Sequence, residues 1–224
     1  MKEKLKQIIK ALILEIKEEE YAKLGAVSSR TGMTTLRVFD FDDTLAKTNS
    51  KVGITEYDKA TGEQLKPEYM ITPAEYATFK VDVAAKNPDI EYKYDYREFA
   101  EVVDPKTIDW TFGILRSVLM KLREDQGIPA VILTARGHDA NKNIREFLSS
   151  MNINIPVITL AGSAPELKSE WIKQTMLDRD IPHVEFFDDS HLNVKAVDDL
   201  NRDFKLIDAF KQKLRVISKL VKPE

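Results

Sequence analysis

The chain has 224 residues, a formal net charge of −3 and no cysteine. Its length suits one domain, or one domain that carries an insertion. The charge gives no sign of the basic surface of nucleic-acid-binding or membrane-surface proteins, and the lack of cysteine excludes disulfides and thiolate metal sites. No apolar run approaches the roughly 20 residues of a membrane span, and the N-terminus lacks signal-peptide architecture. We therefore expect a cytoplasmic protein that makes no membrane contact.

Residues 1–34 are predicted to form an amphipathic helix and a linker. Within 3–24, apolar residues recur at helical spacing between lysines and glutamates, at Leu5, Ile8, Ile9, Leu12, Ile13 and Ile16. The stretch from Gly25 to Thr34 is typical of a linker. The helix either packs on the domain or docks a partner or a second copy, and both readings stay open, as does the oligomeric state.

The segment from Thr35 to Leu45 is predicted to be the central strand and its turn. Val38, Phe39 and Phe41 suit a buried parallel strand, but a core strand has no use for Asp40 and Asp42. If the strand ends at Asp40, both carboxylates can face the crevice at the carboxyl ends of the strands. That crevice is where open α/β sheets bind ligands.

Residues 49–106 are predicted to be a small lid inserted after the first strand. A hairpin is expected between 53–57 and 69–72, and Thr72-Pro73-Ala74-Glu75 suits the start of a helix. We expect loops over most of 82–106. The aromatic residues there are expected to form the lid core rather than to contact substrate, namely Tyr92, Tyr94, Tyr96 and Phe99.

Helices and strands are predicted to alternate from Asp109 onwards. The first helix carries Trp110, Ile114, Val118, Leu119 and Leu122 on one face, Asp139 caps the second, and Ser163-Ala164-Pro165-Glu166 opens the third. Strands are expected at 130–134, 156–160, 183–187 and 204–207, a further helix carries Leu192 to Leu200, and a helix or tail ends the chain. This alternation predicts an α/β fold with a mostly parallel sheet and helices on both faces.

Polar side chains follow several of these strands. Asp40 and Asp42 follow the first strand, Thr134 ends the second, Lys168 lies near a helix start, and Asp188 and Asp189 end a later strand. Three carboxylates in one crevice would repel one another unless a cation lies among them, and ligands that are all oxygen favour Mg²⁺. A lysine and a hydroxyl beside them suit a phosphoryl group.

In this order the residues resemble the motifs of the haloacid dehalogenase superfamily of phosphohydrolases. Asp40-Phe41-Asp42-Asp43-Thr44 is similar to the first motif, Thr134 to the second, Lys168 to the third, and Asp188-Asp189 with Asn193 to the fourth. Lys173 is a rival for the third motif. The resemblance implies a Rossmannoid core over 35–48 and 107–224, with 49–106 placed as the first type of cap.

The resemblance also implies a mechanism. Asp40 would be the nucleophile that forms an aspartyl-phosphate, and Asp42 the acid and base. Mg²⁺ would be held by Asp40, the main-chain carbonyl of Asp42 and Asp189, with Asp188 beside them. The phosphoryl group would be bound by Thr134 and Lys168, and a substrate phosphate would be gripped by Arg136, while Ser190 and Asn193 would orient the acidic loop. The acid at Asp42 favours phosphoryl chemistry over dehalogenation.

The sequence leaves the substrate open. The motif style is similar to small phosphatases of tailed bacteriophages, and a phage-encoded chain would act in the host cytoplasm. The short fourth motif is similar to those of polynucleotide 3′-phosphatases and deoxyribonucleotidases, which implies a nucleotide, a nucleic-acid end or another phosphorylated small molecule. The order of the acids argues against a phospho-receiver domain. The remaining alternative is a non-catalytic phosphate- or protein-binding module recruited through the N-terminal helix.

Overall fold

The computed structural model describes residues 35–73, 75–76, 79, 83–120 and 130–222. The chain divides into two compact units, the first made of Met1–Lys47 and Lys106–Glu224 and the second of Thr48–Pro105. The predicted lid was 49–106, so the division falls one residue earlier at each end. The predicted N-terminal helix, its linker and Leu122 lie outside the described residues.

Ten strands are described in chain order. They are β1 (Thr35–Phe39), β2 (Ala46–Lys47), β3 (Val52–Asp58), β4 (Gln64–Ile71), β5 (Ile90–Asp95), β6 (Lys106–Thr107), β7 (Ala130–Thr134), β8 (Val157–Thr159), β9 (His183–Asp188) and β10 (Arg215–Leu220). The α-helices with described bounds are α1 (Arg97–Glu101), α2 (Asp109–Met120), α3 (Ala140–Ser150), α4 (Pro165–Arg179), α5 (His191–Asp198) and α6 (Phe204–Phe210). Among the described residues, no helix combines the length and the apolar character needed to cross a bilayer.

The first unit is built on a five-stranded sheet in the order β10-β9-β1-β7-β8, in which all pairs are parallel. Helices flank the sheet, so the predicted α/β class is confirmed. Successive side chains of a strand point to opposite faces of the sheet. Val38 therefore packs in a core with residues of α4, α5 and α6, whereas the ring of Phe39 stacks on that of Phe187, with 4.7 Å between the ring centroids. The strand β1 lies in the middle, so its carboxyl end meets those of β7 and β9 at one edge of the sheet.

The end of the chain corrects the predicted order of elements. The predicted strand at 204–207 is wrong, because these residues begin the helix α6. The predicted helix or tail at the end of the chain is wrong as well, because the strand β10 lies there and joins the sheet. The carboxylate of Asp203 accepts hydrogen bonds from the main-chain N–H groups of Lys205 and Leu206, which caps the helix. The run Phe204-Lys205-Leu206-Ile207 is too short for its periodicity to distinguish strand from helix, and the cap decides here.

The structure adds a detail to one predicted helix and corrects the predicted cap of another. The buried face of α2 is formed by Thr111, Phe112 and Leu115, whereas Trp110 is 54% exposed. Asp139 precedes α3 but makes no capping hydrogen bond through its side chain. Its own backbone is already helical, with φ −61° and ψ −27°, whereas a capping residue adopts an extended conformation.

The second unit contains a three-stranded antiparallel sheet in the order β4-β3-β5. The predicted hairpin is confirmed as β3 and β4, while β5 was predicted as loop. Thr72 and Glu75 exchange the hydrogen bonds of a capping box, which starts a helical turn as expected. Aromatic rings pack edge to face across the unit, in the pairs Tyr69–Phe79, Tyr76–Tyr94, Phe79–Tyr92 and Tyr96–Phe99.

Candidate active site

Three strand ends and one helix deliver the polar side chains to the same edge of the sheet. Asp40 directly follows β1, and its main-chain N–H donates to the carbonyl oxygen of Phe187 at 2.9 Å, which continues the pairing with β9. Pro165 occupies the first turn of α4, so Lys168 lies near the helix start. The side chain of Lys168 is only 3% exposed.

Lys168 joins the first and last acidic motifs. Its Nζ lies 2.8 Å from Oδ1 of Asp40 and 2.7 Å from Oδ2 of Asp188. The rival lysine is elsewhere, because Nζ of Lys173 lies 2.5 Å from Oδ2 of Asp203 at the start of α6. The structure therefore brings Lys168, not Lys173, to the candidate site.

Burial dominates the electrostatics of this cluster. It raises the pKa of Asp40 well above its usual value, and the neighbouring carboxylates of Asp188 and Asp42 raise it further, while Lys168 opposes them. Burial alone would lower the pKa of Lys168. The adjacent charges of Asp40 and Asp188 outweigh that effect and raise it. The lysine is therefore held as a cation between two buried carboxylates.

The two acids after β9 have different surroundings. Asp188 is fully buried, and both of its oxygens accept hydrogen bonds, from Lys168, from Nδ2 of Asn193 and from the main-chain N–H of Ser190. Asp189 is half-buried and has no ion-pair partner within 4 Å among the described residues. Burial, followed by the charges of Asp188 and Asp43, raises the pKa of Asp189 to about 6. Ser190 and Asn193 thus orient Asp188, and Asp189 retains its ligand capacity.

The acidic cluster fits a divalent cation. Asp40, Asp188 and Asp189 each offer one carboxylate oxygen, and these atoms lie within 4.8 Å of one another. The donors are all oxygen, which hard ions such as Mg²⁺ prefer. Burial is the main cause of the raised pKa of Asp189, and repulsion from the carboxylates of Asp188 and Asp43 adds to it; a bound cation would relieve that repulsion.

Thr134 and Arg136 reach the site from the end of β7. Oγ1 of Thr134 accepts a hydrogen bond from the main-chain N–H of Arg136 at 3.2 Å, and both residues are buried. The Arg136 guanidinium donates hydrogen bonds to both carboxylate oxygens of Asp42, at 2.7 and 2.8 Å, and its predicted contact with a substrate phosphate stays a prediction. The structure therefore pairs two acids of the first motif with cations, Asp40 with Lys168 and Asp42 with Arg136.

Sequence reasoning assigned no role to two further groups at this edge. Asp43 adopts a positive φ of 51°, which aspartate tolerates better than most residues, and burial and then Asp42 raise its pKa. Nδ1 of His138 lies 2.8 Å from Oγ1 of Thr159, which ends β8. The adjacent acids Asp42-Asp43 could have indicated a role for Asp43. No sequence pattern indicated the contact between His138 and Thr159.

The comparisons with known proteins add no relative. No protein-family model, no curated protein and no solved structure matches the chain. Any function of the chain is therefore inferred from the residues of the site and from their geometry.

Proposed function

We propose that the protein is a Mg²⁺-dependent phosphohydrolase of the haloacid dehalogenase type, which cleaves a phosphate monoester through an aspartyl-phosphate. One observation carries the proposal: a buried lysine bridges Asp40 and Asp188 where three carboxylates can hold one cation. An ion pair that serves only the fold rarely compensates for the desolvation cost of burying several acids together. A phosphoryl-transfer site needs cations and acids held in fixed positions, and this arrangement of charges fits that need.

In the first step a carboxylate oxygen of Asp40 attacks phosphorus. The new O–P bond forms as the bond from phosphorus to the leaving oxygen breaks, and Asp42 in its acid form gives that oxygen a proton. Asp40, Asp189 and the main-chain carbonyl of Asp42 would hold Mg²⁺, with Asp188 beside them. The bound ion would neutralise charge on the phosphoryl oxygens.

In the second step water attacks the aspartyl-phosphate, and the Asp42 carboxylate takes a proton from that water. This returns Asp42 to its acid form and releases inorganic phosphate and the free Asp40 carboxylate. Because Oγ1 of Thr134 already accepts the Arg136 N–H, the hydroxyl proton is left to donate to a phosphoryl oxygen. The Lys168 ammonium balances the charge of the same group.

The test is hydrolysis of p-nitrophenyl phosphate with Mg²⁺. Asp40→Asn removes the nucleophile and Asp42→Asn removes the base of the second step, so each should lower kcat by about 10²- to 10⁴-fold. The matched control is Asp208→Asn, the same change on an exposed residue of α6, which should leave turnover unchanged. Normal turnover in the Asp40 variant would end the assignment of the nucleophile.

A substrate screen then separates the candidate classes. It compares nucleoside monophosphates, oligonucleotides with a 3′-phosphate, and sugar phosphates under the same conditions. A preference for one of the first two would support the nucleotide or nucleic-acid-end reading. No hydrolysis of any of them would favour the non-catalytic binding module instead.

A further inference from the structure

Arg136 is one of the most completely enclosed charges in the described part of the chain. Its side chain is 1% exposed, whereas the side chain of its partner Asp42 is 26% exposed. The two residues are 94 positions apart in sequence and lie in the turns after β7 and β1. A buried guanidinium is costly to retain, which points to a role for this pair beyond stability.

The hydrogen bonds between Arg136 and Asp42 fix the orientation of the Asp42 carboxylate as well as neutralising its charge. Nε of Arg136 donates to Oδ2 of Asp42 at 2.8 Å, and a terminal nitrogen donates to Oδ1 at 2.7 Å. Two parallel hydrogen bonds from a planar fork define the orientation of a carboxylate, which a single donor does not. The carboxylate of Asp42 is thus held in one plane at the exposed side of the site.

The arginine itself is held in place. Its main-chain N–H donates to Thr134, and its carbonyl oxygen accepts from the N–H of Ala161 at 3.0 Å, which ties the turn after β7 to the turn after β8. Its guanidinium lies over the ring of Phe41, 5.7 Å from the centroid. The residue therefore links the predicted phosphoryl-binding hydroxyl to Asp42 through rigid elements.

We propose that Arg136 is a positioning residue, which aims Asp42 at the leaving oxygen and stabilises the carboxylate that forms as Asp42 gives up its proton. Fixed donors are most effective where charge develops during a reaction. The inference rests on the proposed function, because it gives Arg136 a role only through the acid Asp42. It replaces the expectation that Arg136 grips the substrate phosphate.

The test compares leaving groups. Values of kcat/KM are measured with Mg²⁺ for p-nitrophenyl phosphate, whose leaving group needs little protonation, and for glycerol 2-phosphate, whose alkoxide leaving group needs it. Arg136→Met should lower kcat/KM for the alkyl substrate by about 100-fold, and for the aryl substrate by less than about tenfold. Arg136→Lys keeps the charge without the fork and should resemble Arg136→Met.

A double variant tests whether Arg136 acts through Asp42. Arg136→Met added to Asp42→Asn should cause almost no further loss on the alkyl substrate, because the group that Arg136 positions is already absent. The control is Arg37→Gln, which removes a half-buried arginine–glutamate pair between β1 and β9, 2.7 Å long, away from the site. It should lower neither value of kcat/KM.

Each outcome has a distinct meaning. Equal losses on both substrates, full recovery in Arg136→Lys, or additive losses in the double variant would overturn the positioning role and leave the proposed function standing. No turnover of either substrate by the unaltered protein would remove the proposed function and this inference together. Melting temperatures of all variants separate misfolding from altered chemistry, and Arg136→Lys and the Asp42 variants decide the matter if Arg136→Met does not fold.

Discussion

Replacing Lys168 by methionine should strongly destabilise the metal-free protein. The change removes the cation that lies 2.8 Å from Asp40 and 2.7 Å from Asp188, and leaves the two carboxylates facing each other. Both are nearly inaccessible, at 7% and 0% exposure, so water cannot replace the lysine. Methionine is similar in size and apolar, so the loss is that of the charge rather than of packing.

The expected magnitude follows from the burial of the pair. Removing one partner of a buried ion pair costs about 3–5 kcal/mol, because the other charge stays desolvated and unpaired. For a chain of this length, that corresponds to a fall in melting temperature of about 10 °C. Protonation of Asp40, whose pKa burial already raises, relieves part of this cost at acid pH.

Lys173 provides a matched control on the same helix. Its ion pair with Asp203 is partly solvated, with the two side chains 16% and 22% exposed, so Lys173→Met should cost about 1 kcal/mol or less. The assay is urea unfolding of both variants in EDTA and again in Mg²⁺. Mg²⁺ should stabilise Lys168→Met more than the unaltered protein, because the carboxylates then lack their lysine.

Equal stability of the two lysine variants in EDTA would refute this reasoning. It would mean that Asp40 and Asp188 are not held as a buried, charged pair by Lys168. The assignment of Lys168 to the candidate site would then lose its structural basis.

Other predictions concern the metal, the pH dependence and the corrected end of the fold. Mg²⁺ at 100 times its Kd should raise the free energy of unfolding by about 2.7 kcal/mol, and Asp189→Asn should remove most of that gain in thermal melts. Because the pKa of Asp189 is raised to about 6, Mg²⁺ affinity measured by calorimetry should fall by about tenfold for each pH unit below that value. An acid whose pKa is higher in the folded than in the unfolded state stabilises the folded state at low pH. For Asp189 this contribution is complete below the unfolded-state pKa near 3.8 and is lost as the pH rises through about 6. In EDTA, Asp189→Asn should therefore become more stable, relative to the unaltered protein, over that range. Asp203→Ala, which removes the cap of α6, should lower the free energy of unfolding by about 1 kcal/mol in urea.

The convergence of the site was predictable because parallel strands impose it. Asp40, Thr134 and Asp188 each stand at or just after the end of a strand rich in buried apolar residues, and such ends meet at one edge of a parallel sheet. Lys168 follows from the helix start at Pro165. These placements depend on short-range patterns and on one topological rule.

The pairing of Arg136 with Asp42 was not predictable in the same way. Whether an arginine near a helix start faces solvent, substrate or a distant acid depends on how the turns after β1 and β7 approach each other. The order of α6 and β10 was missed for a related reason, since the four-residue run from Phe204 fits either element until the cap at Asp203 is considered. Both features depend on tertiary context, which local pattern does not contain.

The central claim is that Asp40 forms a covalent bond to phosphorus. The most direct measurement mixes the protein with Mg²⁺ and a radiolabelled phosphate monoester, quenches with acid within one turnover, and maps the label by peptide mass spectrometry. We expect a burst of protein-bound phosphate on the peptide that contains Asp40, and none in Asp40→Asn. Turnover of the same substrate with no label on that peptide would contradict the account.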